Sequence, residues 1–129
     1  MIKKTFSELD DIDNPYQAVD DLIKINKNIG VNIKLTGKLP KDIVQAKTFF
    51  EIIREAVTNA IRHAESTEID IKIEENLAET IMTISNNGKQ AKEMILENEG
   101  IKGMRRKLKE IGGNLFVITR PTFSLKIKV

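Results

Sequence analysis

The stretch "KDIVQAKTFFEIIREAVTNAIRH", residues 41–63, carries the strongest structural signal in the chain. Apolar and small side chains recur in it at intervals of three and four residues for about six turns, which is the pattern of a helix with one buried face. With the next position included, these residues are Ala46, Phe49, Phe50, Ile53, Ala56, Val57, Ala60, Ile61 and Ala64. The stretch therefore predicts a long amphipathic helix that packs on a second layer of structure.

Upstream of this helix the sequence predicts a shorter helix and a strand. Apolar residues at near-helical spacing follow an Asn14-Pro15 turn and stop at Gly30, a common way for a helix to end. They are Ala18, Val19, Leu22, Ile23 and Ile25. Residues 31–35 then alternate between apolar and polar, which predicts a strand. We interpret residues 1–16 as an N-terminal segment that remains from a linker, and residues 17–129 as one domain.

Downstream of the long helix, four segments alternate in twos and predict two hairpins. "EIDIKIEEN" and "ETIMTISNN" form the first hairpin, and "NLFVITRP" and "FSLKIKV" form the second. Between the hairpins, the polar residues 89–99 predict a mobile segment. A helix follows, with Met104, Leu108 and Ile111 as its buried stripe and Gly112-Gly113 as its end. This order predicts an α+β fold, a two-layer sandwich with helices on one face of a mixed, mostly antiparallel sheet.

Composition excludes several classes of protein. The 129 residues include 40% hydrophobic and 31% charged residues, which suits one globular domain and argues against disorder or a membrane-spanning segment. A net charge of +2 is too small to predict nucleic-acid binding or direct membrane contact. The absence of cysteine excludes disulfides and thiolate metal sites. The opening "MIKKTFSELDD" has no apolar run behind its lysines, so we expect a cytoplasmic chain.

Polar residues on the long helix are the first candidates for chemistry. Glu55, Asn59 and His63 are spaced by four, so they share one face beside the apolar stripe. Such a row is often an ordinary solvated helix face. Asn59, however, has small or apolar neighbours on both sides, and an amide there is costly to bury without partners. It suggests an oxygen ligand for a hard cation such as Mg²⁺, which takes few protein ligands and completes its shell with water and phosphate.

Glycines supply a second candidate. In "ENEGIKGMRRKL", Gly100 and Gly103 lie at the start of a helix, where small residues let backbone N–H groups approach a phosphate. Lys102, Arg105 and Arg106 add positive charge there, although a basic run of this kind is more often a solvated face. Together with a strand that ends in "NNG", these segments predict a nucleotide pocket.

The sequence resembles the ATP-binding catalytic domain of bacterial sensor histidine kinases. Within that family it is similar to the branch with "REAxTNxxRHA" in the long helix and "GxxGMRxRxxxxGG" after the lid, called NarL/DesK-like, and the matching segments here are "REAVTNAIRHA" and "GIKGMRRKLKEIGG". The resemblance covers residues 17–129. It implies the Bergerat ATP-binding fold of the GHKL superfamily, with ATP and Mg²⁺ as cofactors.

The resemblance also implies roles for individual residues. Glu55 corresponds to the carboxylate that orients the attacking group, and Asn59 to the Mg²⁺ ligand. Residues 89–99 correspond to the ATP lid. The other implied nucleotide-binding residues are Arg62, His63, Asn86, Gly88, Gly100, Ile101, Gly103, Met104 and Thr122.

Two positions depart from the family's Asp-x-Gly-x-Gly motif, whose Asp binds the adenine amine and whose first Gly lets the base approach. Asn86 stands at the Asp position and Gln90 at the second Gly, while Gly88 remains. A charged hydrogen bond contributes about 1.5–3 kcal/mol and a neutral one about 0.5–1.5 kcal/mol. We therefore expect adenine binding to be weaker by about tenfold. Base selectivity should also loosen, because a rotated amide can donate to the guanine carbonyl.

The implied activity is transfer of the ATP γ-phosphoryl group to a histidine on a separate dimerisation domain, and through it to a response regulator. His63 is the single histidine and lies inside the nucleotide motif, so the acceptor is expected in another domain, with a dimer in the full-length context. The chain is then cytoplasmic, or the cytoplasmic portion of a membrane-bound sensor. One alternative is a regulatory nucleotide-binding module without catalysis, a pseudokinase. The other is a serine kinase of the anti-sigma-factor type.

Overall fold

The computed structural model describes residues 14–88, 99–120 and 122–129, and these ranges contain three helices and five strands. Their order is the one that the sequence predicts. The elements are α1 (Pro15–Asn28), β1 (Asn32–Thr36), α2 (Ile43–Ala64), β2 (Glu68–Glu75), β3 (Thr80–Asn86), α3 (Glu99–Glu110), β4 (Asn114–Ile118) and β5 (Ser124–Lys128). Most of the predicted N-terminal segment and nearly all of the predicted lid, including Gln90, lie outside the described residues.

The five strands form one mixed sheet in the order β1-β2-β3-β5-β4. β1 runs parallel to β2, and the other neighbouring pairs are antiparallel. Side chains on one face of each strand are buried under the helices, while those on the other face are more exposed. The predicted α+β sandwich with a mostly antiparallel sheet is confirmed.

α2 is the longest helix and fills the core. Its first turn is capped by Asp42, whose Oδ1 accepts hydrogen bonds from the backbone N–H groups of Val44 and Gln45 at 2.9 and 3.0 Å. The predicted apolar stripe is buried except for the half-buried Ile61. Ile52 is fully buried as well, so the buried face is wider than the pattern indicated. The helix is therefore held along its whole length by hydrophobic packing.

The sheet register places several chain segments at one end of the domain. Asn86 at the end of β3 pairs with Ile69 near the start of β2, which directly follows α2. Ser85 pairs with Ser124, so the β4–β5 connection lies at the same end. β4 starts at the opposite end, where Asn114 pairs with Lys128. Because α3 leads into β4, the N-terminus of α3 also faces the end that carries Asn86. This end of the domain holds the C-terminus of α2 and the N-terminus of α3. We call it the αN end, after the N-terminus of α3.

Candidate active site

The site at the αN end is built around the Asn86 side chain. Asn86 lies on the helix-covered side of β3, two residues after Ile84 and on the same face as the buried Met82 and Ile84, and is half-buried. Its Oδ1 accepts a hydrogen bond from the Ser66 hydroxyl at 2.7 Å and another from the Gly88 backbone N–H at 2.9 Å. Ser66 itself is 3% exposed. The amide is therefore held in one orientation by Ser66, which follows α2, and by Gly88, which follows β3.

A second asparagine fastens the end of β3 to the connection between α2 and β2. The Asn87 Oδ1 accepts hydrogen bonds from the backbone N–H groups of Thr67 and Glu68, and its Nδ2 donates to the Thr67 hydroxyl. The backbone N–H of Asn87 donates to the Glu68 carbonyl. Sequence reasoning did not single out Ser66 or Asn87. The "NN" pair was a signal for Asn87, while an isolated serine after a helix has no periodic pattern to reveal it.

Gly88 is required by packing within the chain. A Cβ at this position would collide with the carbonyl oxygen of Ala64 and the Oγ of Ser66, and would lie 2.7 Å from the Ala64 Cβ. Ala64 is fully buried, so it has no room to move away. The structure thus gives a reason for glycine at this position that the resemblance did not supply. A contact between Gly88 and the base stays a prediction.

The predicted polar row on α2 runs from half-buried to exposed. Glu55 and Asn59 are half-buried, and His63 and Arg62 are exposed in the last turn. The side chains of Glu55 and Asn59 make no hydrogen bond or ion pair with any other described residue. Among the described residues no buried side-chain N or O atom lacks a hydrogen-bond partner, so the polar ends of Glu55 and Asn59 reach solvent. The pair is therefore accessible to a ligand.

The two glycines of α3 lie where the sequence placed them, at its second and fifth positions. Gly103 is in the helix interior with ordinary helical dihedrals, and among the described atoms a Cβ there would meet only the end of the Arg106 side chain, at 3.7 Å. A glycine in a helix interior costs roughly 0.5–1 kcal/mol relative to alanine. The packing of the described residues does not require that cost.

The remaining predicted residues of this region divide into buried and exposed ones. Ile101 and Met104 are 3% and 2% exposed and belong to the hydrophobic core beneath α3. Thr122 is exposed in the β4–β5 connection, at the αN end. Ile101 and Met104 therefore belong to the core, Thr122 lies at the surface, and a role of these three residues in nucleotide binding stays a prediction.

Some of the basic side chains on α3 bond to other elements of the fold. The Arg105 Nη1 donates to the backbone carbonyl of Leu115 at 2.6 Å and so ties α3 to β4. Lys107 faces α2, with its Nζ 3.7 Å from a carboxylate oxygen of Glu51. Lys102, in the first turn of α3, and Arg106, in the second half of the helix, are exposed. Of the three basic residues that the sequence associated with phosphate, Arg105 has a structural partner.

Cavities lined by described residues do not by themselves mark the site. One of about 430 Å³ lies between α1 and the turn after β1, beside Tyr16 and Leu39, and contains none of the predicted site residues. Another of about 290 Å³ lies near the αN end, and its wall includes Asn86 but also Lys34 and Asp70. Those two residues lie on the sheet face that the helices leave exposed, and no predicted residue of α2 or α3 lines this cavity. It is therefore not the predicted nucleotide pocket.

The donor groups fit a magnesium ion that is shared with a nucleotide. Within the described ranges no three His, Asp or Glu side chains come together to hold a metal ion. Mg²⁺ commonly takes one or two protein oxygens and completes its octahedral shell with water and phosphate oxygens. The Asn59 amide oxygen is a donor of that kind, and the Glu55 carboxylate lies one turn away on α2.

The family described as "Histidine kinase-, DNA gyrase B-, and HSP90-like ATPase" matches residues 44–129. The chain belongs to this family. The match runs from the second residue of α2 to the C-terminus, so it includes both the polar row on α2 and the glycines of α3.

Curated relatives include the sensor protein VraS of Staphylococcus saprophyticus, which is 29% identical over 94 residues, covering 71% of this chain and 26% of VraS. VraS of Staphylococcus aureus matches over the same length with the same identity. The chain thus spans about a quarter of the length of the curated relatives it matches.

Solved structures show the same fold at low sequence identity. The histidine kinase domain of a blue-light activated histidine kinase from Erythrobacter litoralis has a TM-score of 0.70 at 15% identity, with 89% of this chain and 60% of that chain covered. The ATP-binding domain of PrrB from Mycobacterium tuberculosis has a TM-score of 0.65 at 14% identity, with 88% and 89% covered.

These matches confirm the family and the fold that the sequence predicted. The chain is a domain of the histidine kinase-, DNA gyrase B- and HSP90-like ATPase family, with the fold of histidine kinase domains. Its assignment to the NarL/DesK-like branch stays a prediction. In the described part of the chain, no helix is both long and apolar enough to cross a bilayer.

Proposed function

We propose that the chain supplies the nucleotide-binding and catalytic half of a sensor kinase, and that it transfers the γ-phosphoryl group of ATP to a histidine on a separate dimerisation domain. The observation that carries the proposal is the pair Glu55 and Asn59, half-buried on α2 without a partner among the described residues. They lie on the helix whose last turn joins the αN end, toward which the start of α3 also points. A response regulator is the proposed final acceptor, as in two-component signalling.

Each residue has a proposed task in this reaction. The Asn59 amide oxygen would hold Mg²⁺. The Glu55 carboxylate positions the attacking imidazole. Mg²⁺, when bound, neutralises charge on the phosphate oxygens. Gly100 and Gly103 let the triphosphate approach the backbone N–H groups at the start of α3, where the helix dipole favours negative charge. The chain thus contributes position and electrostatics, which supply most of the catalysis of phosphoryl transfer.

The remaining predicted residues and partners belong to the same proposal. Arg62, His63 and Thr122 border the phosphates or the rim of the pocket, and residues 89–99 act as the lid. The dimerisation domain provides the acceptor histidine and makes the full-length kinase a dimer. We propose a cytoplasmic location, either as a free protein or as the cytoplasmic portion of a membrane-bound sensor.

The proposal is tested by supplying the chain with a histidine-containing dimerisation domain, Mg²⁺ and ATP labelled in its γ-phosphoryl group, and measuring phosphohistidine. Glu55→Gln should lower the rate of transfer by about 10²-fold or more while nucleotide affinity changes little, because an orienting carboxylate acts on the reacting group. The matched control is Glu51→Gln, one turn earlier on α2 and paired only with the exposed Lys107. Glu51→Gln should transfer the phosphoryl group at the same rate as the unchanged chain.

One observation favours a second candidate, the regulatory module without catalysis. The Asn86 oxygen, which would be needed for an adenine amine, is already used inside the chain. If Glu55→Gln altered nucleotide affinity and no phosphohistidine formed with the unchanged chain, the module would replace the kinase as the proposed function.

A further inference from the structure

Asn86 has a fixed amide orientation, because the Gly88 backbone N–H can only donate. The side-chain atom 2.9 Å from that nitrogen must therefore be the acceptor oxygen, Oδ1. The Ser66 hydroxyl, which is buried and needs a partner, donates to the same oxygen at 2.7 Å. Rotating the amide by half a turn would place N–H against N–H at Gly88 and lose that hydrogen bond, although Nδ2 could still donate to the Ser66 hydroxyl oxygen.

The hydrogen-bonding capacity that remains on Asn86 is that of a donor. A carbonyl oxygen has two lone pairs, and both are engaged by Ser66 and Gly88. The Nδ2 group has no hydrogen-bond partner among the described residues. A group that binds this side chain without disturbing it must therefore offer an acceptor.

Purine bases differ at the position that such a donor distinguishes. Adenine carries an amine, a donor, at carbon 6. Guanine and hypoxanthine carry a carbonyl, an acceptor, at the same carbon. A donor that faces a donor leaves both unpaired, and a site built for one partner rejects the analogue without it.

We propose that Asn86, held by Ser66 and Gly88 with Nδ2 toward the nucleotide, is a specificity-determining residue that makes this pocket accept 6-oxopurine nucleotides at least as well as ATP. The inference rests on the proposed function, since it takes Asn86 to face the base. Ser66 and Gly88 are positioning residues in it. Aspartate at position 86 would keep both internal hydrogen bonds and offer its second oxygen to the adenine amine.

The test is calorimetric titration of the unchanged chain, Asn86→Asp and Asn87→Asp with Mg²⁺ and either ATP or inosine 5′-triphosphate. Inosine triphosphate differs from ATP at the base alone, with a 6-carbonyl in place of the amine. The unchanged chain should bind it at least as tightly as ATP, and Asn86→Asp should shift the affinity ratio toward ATP by about tenfold or more. Asn87→Asp is the matched control, because its Oδ1 keeps the bonds to Thr67 and Glu68, and its ratio should not move.

Three outcomes would overturn the inference. Tighter binding of ATP than of inosine triphosphate by the unchanged chain would mean that Nδ2 donates to the ring nitrogen N1 of adenine instead. An affinity ratio that Asn86→Asp leaves unchanged would remove Asn86 as the determinant, with the kinase proposal intact. Failure of every nucleotide to bind at millimolar concentration would overturn both proposals together.

Discussion

Replacing Gly88 with alanine should destabilise the fold, whereas the same change at Gly103 should not. At Gly88 the new methyl group would overlap the Ala64 carbonyl and the Ser66 hydroxyl. Overpacking of this kind costs about 1–3 kcal/mol. Displacing Ser66 also weakens its hydrogen bond to Asn86, which contributes about 0.5–1.5 kcal/mol. We expect a loss of about 2–4 kcal/mol in the free energy of unfolding.

The assay is thermal unfolding followed by circular dichroism, without nucleotide. For a domain of this size 1 kcal/mol shifts Tm by about 4 °C, so Gly88→Ala should lower Tm by roughly 8–16 °C. Gly103→Ala is the matched control, because a Cβ there has no described neighbour closer than 3.7 Å. It should raise Tm by about 2–4 °C, since alanine favours a helix interior. The reasoning is refuted if Gly88→Ala melts within about 2 °C of the unchanged protein, a shift too small for overpacking.

Three further predictions concern the fold and the link between stability and binding. Gly103→Ala, though more stable, should weaken binding of nucleotide triphosphate by about tenfold, because in the proposed site the phosphates approach the start of α3. Unchanged affinity in calorimetry would remove Gly103 from the pocket. Leu108→Ala should cost about 2–5 kcal/mol in urea unfolding, because Leu108 is fully buried beneath α3. Asp42→Ala should cost about 0.5–2 kcal/mol, since two N–H groups at the start of α2 lose their acceptor, and Asp42→Asn should restore most of it.

The fold was predictable where side chains follow a period. The apolar positions of α2 recur at helical spacing because one face meets the sheet, and nearly all of them are buried. The hairpin strands alternate because one side of the sheet is covered, as the burial of Ile69, Ile71 and Ile73 shows. The end of α3 was equally predictable from Gly112-Gly113, because Gly112 adopts there a positive φ of 74°, which favours glycine.

The candidate site was predictable only in part, because its internal bonds join residues far apart in sequence. The hydrogen bond between Ser66 and Asn86 spans 20 residues, and no local pattern announces it. The sequence predicted that Gly88 lets the base approach, while its neighbours in the structure are Ala64 and Ser66. Arg105 read as a phosphate-binding charge, but its guanidinium donates to a β4 carbonyl. Long-range packing decides such roles, and one-dimensional spacing does not contain it.

Dependence of nucleotide binding on Mg²⁺ and Asn59 tests the central claim most directly. Titration of the chain with ATP should give binding that weakens at least about tenfold when Mg²⁺ is removed or when Asn59 is replaced by alanine. The control is Thr58→Ala, the preceding residue, which is exposed and donates only to the Arg54 carbonyl of its own helix. Binding that is equally tight in Asn59→Ala, or that ignores Mg²⁺, would contradict a nucleotide site on this face of α2.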